Sequence, residues 1–199
     1  MKKTTIFGKA LLGAAVVTMS LGAVSCKDEK KPEDTKEVAE DQNEAKFDDT
    51  NDAKEDDSEF MVAAAEVDMK EIELGKLAQQ KSTNADVKAL GKMMVEEHEK
   101  ASADTKALAA KKNITLPMSL TEKGNDAFKD LNDKTGKDFD KKYAEMMVDG
   151  HEKTIEKMEK ASKDASDEEI RMWAANMLPS LKKHLEHSKM VKEKVDAMK

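Results

Sequence analysis

The stretch NITLPMSLTEKGNDAFKDLNDKTG, residues 113–136, decides how the rest of the chain is assembled. Pro117, Gly124 and Gly136 punctuate it, and its apolar spacing supports only a short helix over about 121–131. On both sides apolar residues recur at helical spacing over much longer runs. Upstream, Phe60, Ala64, Val67, Leu74 and Ala78 share one face of a helix expected over 58–81 with Ser58 as its cap. Ser82, Thr83 and Asn84 break it, and Val87, Leu90, Met94, Ala101, Thr105 and Leu108 align along a second helix over 85–112. Downstream, Tyr143, Met147, Ile155 and Met158 define a third over 137–161. A capping box of Ser166 and Glu169 opens a fourth, which carries Ile170, Trp173, Met177, Leu181 and Val191 and has Pro179 in its interior. Strand signals are missing: aromatic residues make up 4% of the chain, and Val and Ile never alternate over a useful run.

Helices of an up-and-down bundle follow one another through short loops, whereas a ferritin-like bundle has one long crossover between its second and third helices. The connector therefore predicts an all-α fold, a ferritin-like four-helix bundle over residues 58–199, near the usual size of a single domain. Gly75 and Gly91 lie about equally far from the turn at Thr83. Because Gly costs ~1 kcal/mol in a helix interior relative to Ala, a close approach of the first two helices is the expected reason for the pair. Gly150, beside His151, is expected to act in the same way.

The N-terminal part reads as an address. Lys2 and Lys3 precede an apolar run from Ile6 to Val17, and small residues lead to Ser25 and Cys26, so residues 1–25 are expected to be a signal peptide. Lys9 interrupts the run, which is too short for a membrane span of ~20 apolar residues. Cys26 is the only cysteine, and its setting after Ala23, Val24 and Ser25 resembles a lipobox, with Ala23 where Leu is usual. Lipid on Cys26 would tie the protein to a membrane of the bacterial cell envelope, expected to be the outer one. KDEKK, residues 27–31, resembles the signal that sends lipoproteins of some Gram-negative bacteria to the cell surface. From Lys27 to Glu59 there are 15 acidic residues against 6 lysines, net −9, and 26–57 is expected to be a disordered acidic tether. The remaining region is close to neutral, with lysines interleaved among acids, which speaks against nucleic acid as a partner.

The segment MMVEEHEK, residues 93–100, recurs as MMVDGHEK, residues 146–153. The repeat puts Met94 and His98 four residues apart, and Met147 and His151 likewise, so that each His continues an apolar stripe. His184 continues Met177 and Leu181, and Glu71 interrupts the stripe of Val67, Leu74 and Ala78. One inward polar group per helix, all within about two turns of mid-height, makes a single polar layer geometrically available. The pattern fits metal binding, packing or a buried polar contact. Three imidazoles and a carboxylate suit Zn²⁺ or another divalent transition metal, and the Met94 and Met147 sulfurs would favour Cu(I). Against this, Met at helical spacing is normally core filler, and a buried His is usually a neutral ring whose partner here would be Glu71. His187, three residues beyond His184, is expected to be exposed.

EIELGKLA (71–78), KALGKMMVEEH (88–98), FDKKYAEMMVDGH (139–151) and MLPSLKKH (177–184) resemble the bacterial exported proteins grouped as domain-of-unknown-function family 4142. The resemblance covers roughly residues 59–190 and implies a ferritin-like bundle, commonly exported or lipid-anchored, without an established activity. Its recurrent Glu and three His map onto Glu71, His98, His151 and His184. A di-iron site needs Glu three residues before its His, where this chain has Val95, Val148 and Leu181. Ferroxidase chemistry is therefore not expected, and phosphate-loop and nucleophile-elbow signatures are missing too. The sequence favours a non-enzymatic structural, interaction or stress-tolerance module on an envelope lipoprotein, with protein partners unspecified. The alternative is a transition-metal-binding or metal-buffering protein that uses the Glu/His layer.

Overall fold

A computed structural model describes residues 33–47 and 52–198, all-helical apart from turns and the connector. The elements are α1 (Thr35–Phe47), α2 (Asp52–Lys81), α3 (Ala85–Lys112), α4 (Glu122–Asn132), α5 (Gly136–Asp164) and α6 (Glu168–Ala197). The four long helices, α2, α3, α5 and α6, form a bundle of two tightly packed hairpins, α2/α3 and α5/α6.

Two apolar clusters fix the direction of each helix. One gathers Leu77 and Ala78 near the end of α2, Val87 and Leu90 near the start of α3, Phe139 and Tyr143 near the start of α5, and Val191 and Val195 near the end of α6. The other gathers Met61 and Ala64, Ala109, Met158 and Ala161, and Ile170 and Trp173, from the opposite ends of the same helices. Thus α2 and α6 run one way and α3 and α5 the other. The connector makes this order feasible: Ile114 and Leu116 at its start pack in the second cluster, and Leu131 of α4 packs in the first. It carries the chain back along the full height of the bundle, as the length of residues 113–136 requires.

Local chemistry sets the hairpin turn. The Asn84 side chain caps α3 by accepting from the N–H groups of Asp86 and Val87, and Ser82 Oγ donates to the buried Asp140 at 2.6 Å. At the Gly75/Gly91 crossing, a Cβ on either residue would lie 2.7 Å from the other's carbonyl oxygen, so the two backbones touch as the glycine pair predicts. Asn113, at φ 58°, closes α3 in the left-handed conformation.

Three expectations need correction. The acidic tether over 26–57 is not wholly irregular: Thr35–Phe47 is helical and buries Ala39, Asn43 and Phe47, one side of the helix at i, i+4, i+8. Asn43 fixes it to the connector, donating to Thr115 O at 2.9 Å and accepting from Thr115 N–H at 2.7 Å. The first long helix does not start at Ser58, which lies inside α2 and donates to Glu55 O. Finally, α6 is capped by Asp167 and not by Ser166; the buried Asp57 of α2 receives the N–H groups of Ser166 and Asp167 at 2.7 Å each, pinning that turn. The expected signal peptide and Cys26 lie outside the described residues, among which no helix is long and apolar enough to cross a membrane.

Candidate metal centre

Between the two apolar clusters the core is interrupted by buried polar groups. Asp68 and Glu71 come from α2, His98 from α3, His151 from α5 and His184 from α6, none more than 4% exposed. The three imidazoles face one another with centroids 5.4–5.6 Å apart. One ligand nitrogen from each lies within 4.8 Å of the other two.

Hydrogen bonds at the far side of two rings decide what the near side offers. His98 Nδ1 lies 2.9 Å from Asp68 Oδ1, and His151 Nδ1 lies 2.8 Å from the carbonyl oxygen of Met147. A carboxylate and a carbonyl accept, so each Nδ1 carries a proton, and in the neutral ring each Nε2 presents a lone pair. These two Nε2 atoms are 3.5 Å apart. Two lone pairs at that distance in a buried layer repel unless a cation or a proton joins them. A tetrahedral ion bound at ~2.0–2.1 Å holds its nitrogens about 3.4 Å apart, close to the separation found.

Electrostatics point the same way. Burial, followed by the neighbouring His98, pushes His151 down to about 4, and burial followed by His98 and His151 pushes His184 down to about 3. Both rings are therefore neutral at pH 7, the form that binds metal. Burial raises the Asp68 carboxyl against the pull of its bond to His98. Asp68 Oδ2, both Glu71 oxygens, the Tyr143 hydroxyl and His184 Nδ1 are buried without a hydrogen-bond partner. Lys70 Nζ stands 3.5 Å from Glu71 Oε1, near enough for charge attraction but not for a well-formed hydrogen bond. A Cβ on Gly150 would come within 3.0 Å of Glu71 Oε1, so this glycine makes room for the carboxylate instead of for a helix. Each unmade buried hydrogen bond costs ~1–3 kcal/mol, and most of the unpaired atoms here are acceptors, the signature of a layer short of positive charge.

The structure brings His98, His151 and His184 together as the repeated segment and the His184 stripe predict. Glu71 is fully buried but is not among the groups whose ligand atoms share the 4.8 Å radius. Nor is it the partner of an imidazole: that role belongs to Asp68, beside the Val67 of the apolar stripe. Met94 and Met147 are buried in the apolar cluster with Leu74, Leu90 and Tyr143. His187 is half-buried and turned toward Met93 on α3. A groove of about 690 Å³ between α3 and α6 is lined by His98 and His184 together with Trp173, Met177 and Leu181, and so borders two of the three imidazoles.

The chain belongs to the family described as Domain of unknown function (DUF4142), whose model matches residues 42–191. No curated protein and no solved structure matches it.

Proposed function

We propose that this member of the family is a metal-binding protein of the bacterial envelope, which holds one divalent transition ion of the Zn²⁺ class on His98, His151 and His184. The observation that carries the reading is the pair of Nε2 atoms 3.5 Å apart, each on a ring whose Nδ1 faces an acceptor on the other side. Asp68 orients His98 and raises its basicity, as carboxylates behind metal-bound imidazoles do. Three protein ligands leave a fourth position for water or an exchangeable ligand, and the α3/α6 groove supports exchange from that side. Di-iron oxidation is no part of this reading, because the carboxylates it needs three residues before each His are replaced by Val95, Val148 and Leu181.

A second reading, a purely structural polar layer, is supported by the raised Asp68 carboxyl. A proton held between Asp68 and His98, with His98 Nε2–H donating to His151, would satisfy the same atoms. Metal analysis separates the two. Protein isolated from its own envelope should carry about one equivalent of metal, and a His98→Ala, His151→Ala, His184→Ala variant none. At ligand a hundredfold above Kd the metal should add ~2.7 kcal/mol of stability that chelator removes. No uptake at micromolar Zn²⁺, Cu or Fe, with stability indifferent to chelator, selects the structural layer. Lipid on Cys26 is the proposed anchor, and membrane retention of a Cys26→Ala variant would overturn it.

A further inference from the structure

His187 sits one turn beyond His184 on α6, yet it takes no part in the triad. Its Nδ1 lies 3.0 Å from the thioether sulfur of Met93 on α3. Met93, the first residue of the repeated segment, is itself half-buried against the apolar cluster of Leu90 and Tyr143. Further along the same edge of α6, Lys194 reaches Asp86 of α3 at 2.8 Å. Met190 falls three residues after His187 and four before Lys194, so helical spacing places it on this α3-facing stripe. It is 51% exposed, an apolar side chain left at the surface among charged neighbours.

We propose that Met93, His187 and Met190 form a second metal site, built for Cu(I), at the outer edge of the α3/α6 interface and independent of the histidine triad. An imidazole and two thioethers are a soft donor set that Cu(I) accepts and hard ions do not. A hydrogen bond from His187 would account for the closeness of Met93, but a thioether is a weak acceptor. With nitrogen at ~2.0 Å and sulfur at ~2.3 Å, a trigonal ion needs the two donor atoms about 3.7 Å apart. Met93 must withdraw by about 0.7 Å, a movement that its three rotatable side-chain bonds permit. The ion binds and leaves as Cu(I), with no change of oxidation state.

Silver(I), a soft ion without redox chemistry, serves as the probe. Full-length protein labelled with ¹³C in its methionine methyl groups is titrated with Ag(I), with and without one equivalent of Zn²⁺. At the first equivalent the Met93 and Met190 methyl signals should shift while those of Met94 and Met147 stay in place. Replacing the half-exposed His187 (His187→Ala) should weaken Ag(I) at least tenfold, and Met93→Leu should do the same, with Zn²⁺ uptake unchanged in both. Response of other methionines first, or undiminished Ag(I) binding by His187→Ala, overturns the proposal. Zn²⁺ uptake is read on the same samples, so a failure here is distinguishable from a failure of the triad.

Discussion

Replacing Asp68 by Leu tests the layer at the point where sequence and structure differ most. Asp68 is 1% exposed and His98 2%, so nothing outside the protein can take over their 2.9 Å bond. Leu is larger than Asp, so overpacking adds to the loss of the acceptor, and the cost of the acceptor alone is a lower bound on the destabilisation. A buried N–H without a partner costs ~1–3 kcal/mol. The wild type already carries the unpartnered Oδ2 of Asp68, and its removal offsets part of this, leaving about 1–2 kcal/mol of net destabilisation. With a urea slope of ~1–3 kcal/mol per molar, the unfolding midpoint should fall by roughly 0.5–1 M or more. Metal affinity should fall as well, by ~10–100-fold, because the ring that Asp68 held is free to turn. Glu71→Leu is the control with the opposite expectation. It removes two buried oxygens that have no hydrogen bond, and Lys70, 20% exposed at its side chain, can turn to solvent. Exchanging such a carboxylate for an apolar residue of similar volume is neutral or stabilising by ~1–2 kcal/mol. Both variants are measured by urea denaturation in chelator and by Zn²⁺ competition. If Asp68→Leu changes neither quantity, or Glu71→Leu proves the more damaging, the assignment of Asp68 as the support of His98 is wrong.

Three further outcomes are expected. Without metal, stability should be complete above the ordinary His value of about 6.5 and fall with acidification, since His151 and His184 resist protonation to about 4 and about 3 while the unfolded chain takes up both protons. The two histidines together contribute at most ~2.7 kcal/mol per pH unit near pH 5, from which the raised Asp68 carboxyl, titrating in the opposite sense, subtracts, and a His184→Leu variant should show a clearly shallower slope; midpoints unchanged between pH 7 and 5 would contradict it. Gly75→Ala should destabilise by ~1–3 kcal/mol despite the better helix propensity of Ala, because its Cβ would lie 2.7 Å from the Gly91 carbonyl oxygen; thermal melting that shows a gain would mean the helices separate at little cost. Asn43→Ala should release α1, whose two bonds to Thr115 are lost, so amides 35–47 should exchange hydrogen at least tenfold faster while those of α5 do not.

What could be read from the sequence follows from which residues act locally. The three histidines were legible because each extends a stripe on its own helix, and the Gly75/Gly91 contact because a shared turn makes the two positions face each other. Asp68 was not. Apolar periodicity counts hydrophobes and so selects Val67 as the inward residue, yet Val67 is half-buried while Met61, Ala64, Asp68, Glu71, Leu74 and Ala78 form the true seam. That seam has near-heptad spacing, so a carboxylate at the heptad position of Asp68 is the signal that was available. α1 was lost for a different reason. Its composition is that of a solvated segment, and what holds it is a side chain, Asn43, satisfying the backbone of Thr115 across 72 positions of sequence, a contact no window of local pattern contains.

The placement of the layer also says what occupation of it would change. α2/α3 and α5/α6 are extensively packed within themselves and meet each other through fewer contacts. The polar groups sit where the apolar core is interrupted, between the cluster around Leu90 and Tyr143 and the cluster around Met158 and Ile170. His98 belongs to one hairpin, and His151 and His184 to the other. An ion shared among them acts across the interface between hairpins, so its effect should appear less in the melting of any single helix than in the coupling of the two pairs. Filling the same space with Leu would give a continuous core and a more stable apoprotein. A bundle that instead keeps unpartnered buried acceptors at this height is weakest where the triad can tie it together, which makes docking of the hairpins the structural quantity most responsive to metal.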